Sequence, residues 1–225
     1  MTDSRYEIKF ILNTSQLLQA KKWLSFQTSA KEVFKSRTVN SIYFDDNDFN
    51  SVKDNLMGIS KRSKYRLRCY GDIGEFDTEN INFEIKSRVN RAGHKTRKKI
   101  SLTHNLDCIR YSELQVILKK QLEQEVSFDK ALSPSLRVSY KRQYFEGSQG
   151  VRVTLDNNIR YYRTSLHSEI FASKPIQYPM TIMEIKFHPE QVNIVSSSFR
   201  NFHLVPKRHS KYLVGISMLG NAVYI

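Results

Sequence analysis

The chain has little cysteine, glycine and proline, and it has no long hydrophobic run. Its 225 residues include two Cys, eight Gly and five Pro. Two cysteines, Cys69 and Cys108, give no second pair for a disulfide framework or a zinc site, so we expect two reduced, partly buried thiols. The longest apolar stretch, 212–225, is interrupted by polar residues and is shorter than a membrane-spanning helix needs. The first ten residues contain no apolar signal core. A soluble, cytoplasmic protein is therefore expected.

Acidic residues are scarce relative to basic ones. The sequence holds 36 Lys and Arg against 22 Asp and Glu, a formal net charge of +14. Such an excess implies an anionic partner, which on charge alone could be nucleic acid, an acidic membrane surface or a phosphorylated small molecule or polymer. Hydrophobic residues make up 40% of the chain, enough for a substantial core. All-β barrels of this length often form one domain, and no Pro- or Ser-rich linker interrupts the sequence, so a single domain over 1–225 is predicted.

Residue periodicity predicts strands alternating with a few helices. Period-two alternation indicates strands and apolar spacing of three or four indicates helices, with Thr14 or Ser15 as the N-cap of the first helix. The predicted strands cover 6–12, 38–44, 64–70, 82–88, 94–102, 136–145, 151–156 and 180–187. The predicted helices begin near 14 and 189 and cover 47–57, 105–126 and 209–219. A hairpin turn is predicted at 146–150. Aromatic pieces of these strands are expected in the core.

Charged residues occupy alternating positions in several of these strands. Arg66 and Arg68 lie two apart, and comparable charged segments stand at 5–9, 84–86, 152–156 and 184–186. Residues two apart in a strand point to the same face, so the charges share one face while Ile8, Leu67, Ile85, Val153 and Ile185 point to the other. An open sheet would expose such a polar face to bulk water. A closed barrel would place it in a charged bore and leave no open edge.

Seven short motifs in order carry a resemblance to a known family. They are RYEIKF, SIYFDD, KYRLRCYG, FEIKS, VRVTLD, MEIKF and VPKRHSKY, between residue 5 and about residue 215. This set resembles the VTC domain, the polyphosphate polymerase branch of the triphosphate tunnel metalloenzymes. The resemblance implies an α+β fold: an eight-stranded antiparallel β-barrel tunnel with helices packed outside and at the C-terminus. It also implies that basic side chains lining the tunnel grip a triphosphate or polyphosphate.

The resemblance also implies roles for individual residues. Glu184 corresponds to the ligand of a divalent metal, Mn or Mg, and Ser210 to a hydrogen-bonding neighbour of the phosphates. Lys207 is a further phosphate contact, although VPKRHSKY is one residue longer than the VPKxSK pattern of the family. Arg97 and Lys99 match a basic pair, and either Arg160 or Arg163 adds a contact. The resemblance implies that five residues both bind phosphate and take part in catalysis: Arg66, Arg68, Lys86, Arg152 and Lys211. It implies that Lys9 also binds phosphate.

Three carboxylates have two interpretations. Glu7, Glu84 and Asp156 could hold a second metal or a water, or they could be salt-bridge partners that keep neighbouring Lys and Arg in place. Arg5 stands where tunnel hydrolases of the family place the first Glu of an ExExK strand. This replacement favours an ionised phosphate over water as the nucleophile, because an ionised phosphate needs no general base.

The resulting functional hypothesis is a polyphosphate polymerase. Its partners are ATP or another triphosphate, and polyphosphate or pyrophosphate, without nucleic acid. A metal-dependent tripolyphosphatase or nucleoside triphosphatase is the enzyme alternative. A non-catalytic polyphosphate-binding module, acting with a separate membrane protein, is the third hypothesis.

Overall fold

The part of the chain that the structure describes forms nine strands and five α-helices. The computed structural model describes residues 5–27, 30–90, 92–102, 106–122, 132–147, 150–199 and 202–220. The strands are β1 (Tyr6–Leu12), β2 (Lys31–Asp45), β3 (Lys61–Tyr70), β4 (Asn82–Val89), β5 (Ala92–Lys99), β6 (Ser133–Glu146), β7 (Arg152–Tyr162), β8 (Pro175–Gln177) and β9 (Thr181–Phe187). The helices are α1 (Thr14–Gln27), α2 (Asn50–Leu56), α3 (Tyr111–Leu122), α4 (Val192–Ser198) and α5 (Lys211–Met218). The predicted α+β class and its antiparallel sheet are confirmed.

The residues group into two compact units. The first consists of Met1–Arg37, Tyr140–Ile159 and Gln177–Ser210, and the second of Thr38–Ser139, Arg160–Ile176 and Lys211–Ile225. In the first unit the hydrogen-bonded strand order is β1-β9-β7-β6, and in the second it is β6-β2-β3-β4-β5. The registers of β1 with β9 and of β3 with both β2 and β4 are antiparallel.

The sheet differs from the predicted barrel in two respects. Within the described residues, β1 and β5 each have one hydrogen-bonded neighbour, so hydrogen bonds do not close the sheet. Strand β5 is rich in Lys and Arg, which is typical of an edge that resists further pairing. The ninth strand, β8, pairs with β7. Its three residues are all exposed and the first is a proline. The sequence therefore has no alternation of apolar and polar residues from which this strand could be predicted.

In the first unit, helix α1 covers the apolar face of the sheet. Phe10, Val153 and Ile185 on β1, β7 and β9 form one buried cluster with Trp23 and Leu24 of α1. The Trp23 indole Nε1 donates a hydrogen bond to the Ser198 carbonyl at 2.7 Å. The predicted alternation therefore holds here, since the apolar residues of these strands point to the helix-covered face.

In the second unit, helix α3 covers the apolar face of the sheet. Ile42, Phe44 and Leu67 pack in one buried cluster with Leu114 and Leu118 of α3. Cys69 of β3 and Phe83 of β4 belong to the same cluster. Each unit thus buries one sheet face under a helix, and the other face carries the charged residues.

Several predicted element ends shift in the structure. The N-cap of α1 is Asn13, not Thr14 or Ser15: its Oδ1 accepts from the Gln16 N–H at 2.9 Å, and its N–H donates to Gln16 Oε1 at 3.0 Å. Helix α2 begins at Asn50, after Phe49 adopts a positive φ of 54°. Helix α3 begins at Tyr111, because a separate 3-10 turn takes up Leu106–Cys108. The predicted ends at 105 and 123–126, and turn residues 148–149, lie outside the described residues.

The two cysteines are free thiols in different surroundings. Cys69 is buried, and burial raises the pKa of its thiol to about 12. Cys108 is exposed, not partly buried as predicted. None of the helices in the described part of the chain is both long and apolar enough to span a membrane.

Candidate functional site

The charged face of the second unit centres on one buried carboxylate. Glu84 on β4 is 1% exposed. Its Oε2 is 2.6 Å from Arg66 Nη2 and its Oε1 is 2.6 Å from Lys95 Nζ. Arg97 Nη2 lies 3.2 Å from Oε1 and Arg68 Nη1 lies 3.9 Å from Oε2. We call Arg66, Arg68, Glu84, Lys95 and Arg97 the Glu84 cluster; it sets four cations around one carboxylate.

Strand register explains how three strands supply this cluster. Arg66 on β3 faces Glu84 on β4, which faces Arg97 on β5. Since alternate residues share a face, the same face also presents charged residues before and after this row. Nine basic residues occupy its positions on β3, β4 and β5, and Glu84 is the one acidic residue there: Arg62, Lys64, Arg66, Arg68, Lys86, Arg88, Lys95, Arg97 and Lys99.

The electrostatics of the Glu84 cluster favour full ionisation. Burial alone would raise the pKa of Glu84, but the charges of Arg66 and Arg68 and the hydrogen bond from Lys95 hold that pKa well below its ordinary value. Burial lowers the pKa of Lys95, and Glu84 opposes that change. The carboxylate is therefore ionised at neutral pH and holds its cationic neighbours in place.

The charged face of the first unit has a different composition. Lys9 on β1 lies 2.8 Å from Glu7 and 3.6 Å from Glu184 on β9. Lys186 lies 2.7 Å from Glu184 and 3.6 Å from Glu7. We call these four residues the Glu184 cluster. Its two lysines and two carboxylates balance in charge, because the antiparallel register places Glu7 opposite Lys186 and Lys9 opposite Glu184.

The lysines also control the ionisation of Glu184. Burial would raise its pKa, but Lys186, Lys9 and Arg142 together hold the pKa well below the ordinary value. The ammonium of Lys9 further donates to the His209 carbonyl at 3.1 Å, and the Lys207 N–H donates to the Lys9 carbonyl at 2.8 Å. The segment that contains Lys207 is thus tied to β1 by two hydrogen bonds.

Asp156 forms a separate buried pair with Arg142. Arg142 Nε and Nη2 donate to the two carboxylate oxygens at 2.5 and 2.7 Å. Burial alone would lower the pKa of Arg142, but Tyr140, Asp156 and Glu184 hold it well above the ordinary value. Both oxygens of Asp156 are committed to the guanidinium, so a metal would have to displace a buried bidentate partner.

The other predicted residues lie around these groups. Lys86 is exposed on β4 between Lys64 and Lys95, and Lys99 is exposed on β5 opposite Asn82. Exposed Arg152 lies on β7 opposite Lys186. The remaining residues are distributed as follows: Lys207 is exposed, Ser210 and Lys211 are half-buried at the start of α5, Arg160 is exposed on β7 and Arg163 is exposed just beyond it.

The sequence analysis did not assign a role to four basic residues in or beside these clusters. Lys64, Lys95 and Lys186 repeat the period-two pattern of their strands, so the alternation that pointed to Arg66 and Arg68 could have found them. Arg142 gives no such signal, because its role depends on Asp156 of another strand. Glu7 and Glu84 have ion pairs with neighbouring cations, as the salt-bridge interpretation expects.

The aromatic strand segments are largely internal. Tyr43, Tyr140 and Tyr161 are buried, in agreement with the predicted core role. Tyr144 is only half-buried, and its hydroxyl accepts a hydrogen bond from Arg37 Nε at 3.0 Å.

Comparison with known proteins places this geometry in context. The chain is similar in structure to a Hippeastrum protein, a proposed adenylyl cyclase with a dominant triphosphatase activity, at 16% identity over 96% of each chain with a TM-score of 0.54. The PH1819 protein of Pyrococcus horikoshii matches at 13% identity, over 97% of this chain and 100% of that one, with a TM-score of 0.52. A proposed adenylate cyclase of Vibrio parahaemolyticus matches at 12% identity, over 95% and 99%, with a TM-score of 0.50. At these identities the likeness concerns the fold.

The sequence itself matches one family model over nearly its whole length. The VTC domain model covers residues 4–220. The charged strand motifs described above lie inside this range. The chain belongs to the VTC domain family.

Proposed function

We propose that this chain is a metal-dependent phosphotransferase that moves the γ-phosphoryl group of ATP, or a related triphosphate, onto a polyphosphate chain. The observation that carries the proposal is the charged face of β3, β4 and β5, where nine basic residues share one face with a single carboxylate and four of them contact it. Phosphoryl transfer has a loose transition state with charge on peripheral oxygens, so catalysis consists mainly of positioning and electrostatic stabilisation. An excess of fixed Lys and Arg supplies both.

Within the Glu84 cluster, the carboxylate is the positioning group and the cations are the ligands. Glu84 holds Arg66 and Lys95 at 2.6 Å each. Its single negative charge is smaller than the summed charge of the four cations that contact it. Arg66 and Arg68 present planar forks that match phosphate oxygens, and the lysines act as point charges. Lys86, Arg97 and Lys99 extend the same role on β4 and β5.

The length of the charged face supports a polymer as ligand. Arg62, Lys64, Arg66 and Arg68 occupy alternate positions along β3, and alternate strand residues are roughly 6.7 Å apart. The row therefore spans roughly 20 Å. A triphosphate needs only part of such a row, whereas a polyphosphate chain can use all of it.

The Glu184 cluster supplies the proposed metal ligand. No three His, Cys, Asp or Glu residues of the described part of the chain gather into a protein metal cage. A Mg²⁺ or Mn²⁺ ion that keeps waters and phosphate oxygens as ligands needs only one or two carboxylates, which Glu184 and Glu7 provide. Asp156 fits less well, because Arg142 donates a short hydrogen bond to each of its oxygens. Glu184 and Glu7 each have one short lysine contact, and their second lysine lies 3.6 Å away. When bound, the ion would neutralise charge on the phosphate oxygens; Lys9 and Arg152 would bind phosphate from the protein side.

The identity of the nucleophile distinguishes polymerase from hydrolase. A hydrolase must orient and deprotonate water, whereas a terminal phosphate is already ionised. By the resemblance, Arg5 corresponds to the first Glu of the ExExK strand of the hydrolases; its Nε donates to His188 Nε2 at 3.3 Å. A cation at this position would attract a phosphate nucleophile and would not act as a base. Ser210 and Lys211, at the start of α5, would complete the phosphate contacts.

A hydrolase is the second candidate. Glu7 keeps a carboxylate beside Lys9, and the Hippeastrum relative is described with a dominant triphosphatase activity. The third candidate is a polyphosphate-binding module associated with a separate membrane protein. We also propose a cytoplasmic location, where ATP is the available triphosphate.

One assay separates the three candidates. The purified chain is incubated with ATP and Mn²⁺, polymer is resolved on a gel, and released phosphate is measured in parallel. Long polymer supports the polymerase. Phosphate without polymer supports the hydrolase, and tripolyphosphate binding without turnover supports the module.

Matched variants connect the assay to the site. Arg66→Ala removes a phosphate ligand, and Glu184→Gln removes the proposed metal ligand. Each is expected to reduce polymer formation at least about a hundredfold, as removal of single transition-state contacts does. Lys120→Ala is the control, because it removes an exposed charge from the last turn of α3. Loss of activity in the control as large as in Arg66→Ala would refute the assignment of the site.

A further inference from the structure

The helix that carries Lys211 is anchored on the charged face of the second unit by a buried tyrosine. Tyr212 of α5 is 1% exposed. Its hydroxyl donates to Asp45 Oδ2 at 2.6 Å and lies 3.2 Å from the Ser135 hydroxyl. Its ring stacks on the Tyr43 ring, with centroids 4.8 Å apart and planes 14° from parallel. We call Tyr43, Asp45 and Tyr212 the tyrosine anchor.

The tyrosine anchor also touches a residue of the Glu84 cluster. Tyr43 on β2 lies opposite Arg66 on β3, and Arg66 Nη1 donates to the Tyr43 hydroxyl at 3.5 Å. Two nitrogens of the same guanidinium bind Glu84. One end of the anchor therefore contacts Arg66, and the other end holds the helix turn that begins with Lys211.

The buried carboxylate of the anchor is held from both sides. Asp45 Oδ1 accepts from the N–H groups of Asp46 and Ser51, each at 3.0 Å. Burial, together with the charge of Asp45, raises the pKa of Tyr212 far above its ordinary value. The phenol thus remains a hydrogen-bond donor at neutral pH. Among the ion pairs of the described residues Asp45 has no cationic partner, so Tyr212 and the two N–H groups are its ligands.

Close packing further fixes the helix. A Cβ added to Gly215 would lie 2.5 Å from Tyr161 Cδ1 and 2.6 Å from Leu136 Cδ2. Helix α5 therefore sits at the distance that only glycine allows. A helix held by a short hydrogen bond, a ring stack and this contact has little freedom to move Lys211.

We propose that Tyr212, Asp45 and Tyr43 are positioning residues that fix Lys211 and Arg66 relative to each other for phosphate binding. The inference rests on the proposed phosphate role of Lys211. It assigns to the anchor a function in ligand affinity that goes beyond the stability of the fold. Tyr212 acts on affinity through Lys211, and Tyr43 acts through Arg66. The effect of the Tyr212 hydroxyl should therefore depend on the presence of the Lys211 side chain.

The test is a double-mutant cycle on tripolyphosphate affinity, measured by calorimetric titration of the full chain. Tyr212→Phe keeps the ring and removes the hydroxyl. It is expected to weaken binding about fivefold, within the range of coupling between contacting groups. Lys211→Ala is expected to weaken binding about tenfold, and adding Tyr212→Phe to Lys211→Ala is expected to weaken it no further.

A second buried tyrosine provides the structural control. The Tyr111 hydroxyl donates to the Ile170 carbonyl at 3.2 Å in the core of the same unit. Tyr111→Phe should lower stability comparably and leave affinity unchanged. If Tyr212→Phe fails to fold, Tyr43→Phe removes the hydroxyl that contacts Arg66 and is expected to weaken binding about threefold, within the same range of coupling. Unchanged affinity in Tyr43→Phe would overturn the proposal.

The outcomes separate the anchor from the proposed function. If Lys211→Ala weakens binding but Tyr212→Phe does not, or if the two effects multiply, the anchor is not a positioning device. If the wild-type chain does not bind tripolyphosphate, or Lys211→Ala binds it as the wild type does, the phosphate role of Lys211 fails, and the inference fails with it.

Discussion

The Glu84 cluster and the Glu184 cluster share the same strand pattern but differ in net charge. In both, an acidic residue on one strand lies opposite a basic residue on its antiparallel neighbour. The Glu84 cluster has four cations for one carboxylate, whereas the Glu184 cluster has two lysines for two carboxylates. Strand alternation determines on which face of the sheet a charged side chain lies. The ratio of cations to carboxylates on that face determines which ligand it can bind. An excess of cations suits phosphate, and a balanced set with two carboxylates can also serve a metal ion.

The largest expected difference between the clusters is in the stability lost when one carboxylate is removed from each. Glu84→Gln removes the buried carboxylate that four cations share, and it should lower the free energy of unfolding by about 3 kcal/mol. Glu7→Gln should lower it by less than about 1 kcal/mol, because Glu7 is exposed. Urea unfolding followed by circular dichroism at pH 7 measures both.

Added tripolyphosphate provides a second readout for the same pair of variants. A ligand that binds only the native state stabilises it, so the anion should recover more stability in Glu84→Gln than in the wild type. Equal losses in the two variants, with equal recovery, would show that the two clusters do not differ in this way.

Acid should destabilise the protein through both clusters. The pKa values of Glu84 and Glu184 are lowered in the folded state, so the unfolded state binds more protons below the ordinary Glu pKa of about 4.3. Their stabilising contribution is complete above that value and is lost as the pH falls toward the folded-state pKa. The loss is about 1.4 kcal/mol for each unit by which a pKa is lowered.

The free energy of unfolding, measured at pH 6, 4 and 3, tests whether stability falls with pH as expected. Glu84→Gln and Glu184→Gln should each reduce the dependence of stability on pH. A variant that keeps the wild-type slope would show that its carboxylate contributes no ion pair to the folded state.

The smallest expected effect comes from giving the Glu184 cluster an excess of cations, as the Glu84 cluster has. Glu7→Gln leaves two lysines for one carboxylate, so tripolyphosphate binding without added metal should become about threefold tighter at low salt, as expected for one exposed charge interaction. The gain should disappear near 1 M salt, where charges are screened within about 3 Å. Calorimetric titration measures it, with the exposed Glu190→Gln as control. An equal gain in the control would mean that net charge alone is responsible.

The sequence by itself determined which residues share a face. The bounds of β1 were predicted as the structure has them, and Ile8, Leu67 and Val153 lie on apolar faces because a strand repeats every two residues. This local rule also put Arg66 and Arg68 on one face of β3, and Glu84 and Lys86 on one face of β4. The same rule, applied to 64, 95 and 186, would have extended the candidate site to Lys64, Lys95 and Lys186.

Only the tertiary structure decided which charges meet. That Glu84 binds cations from two neighbouring strands depends on strand register, and register is set by packing over the whole sheet. The pair of Arg142 with Asp156 and the contact of Tyr212 with Asp45 join residues that are 14 and 167 positions apart. No periodicity in the chain encodes such a partner, because the partner is chosen by the pairing of strands and the seating of α5. The sequence therefore determined the charged faces, and the fold turned them into an excess of cations around Glu84 and a balanced pair of lysines and carboxylates at Glu184.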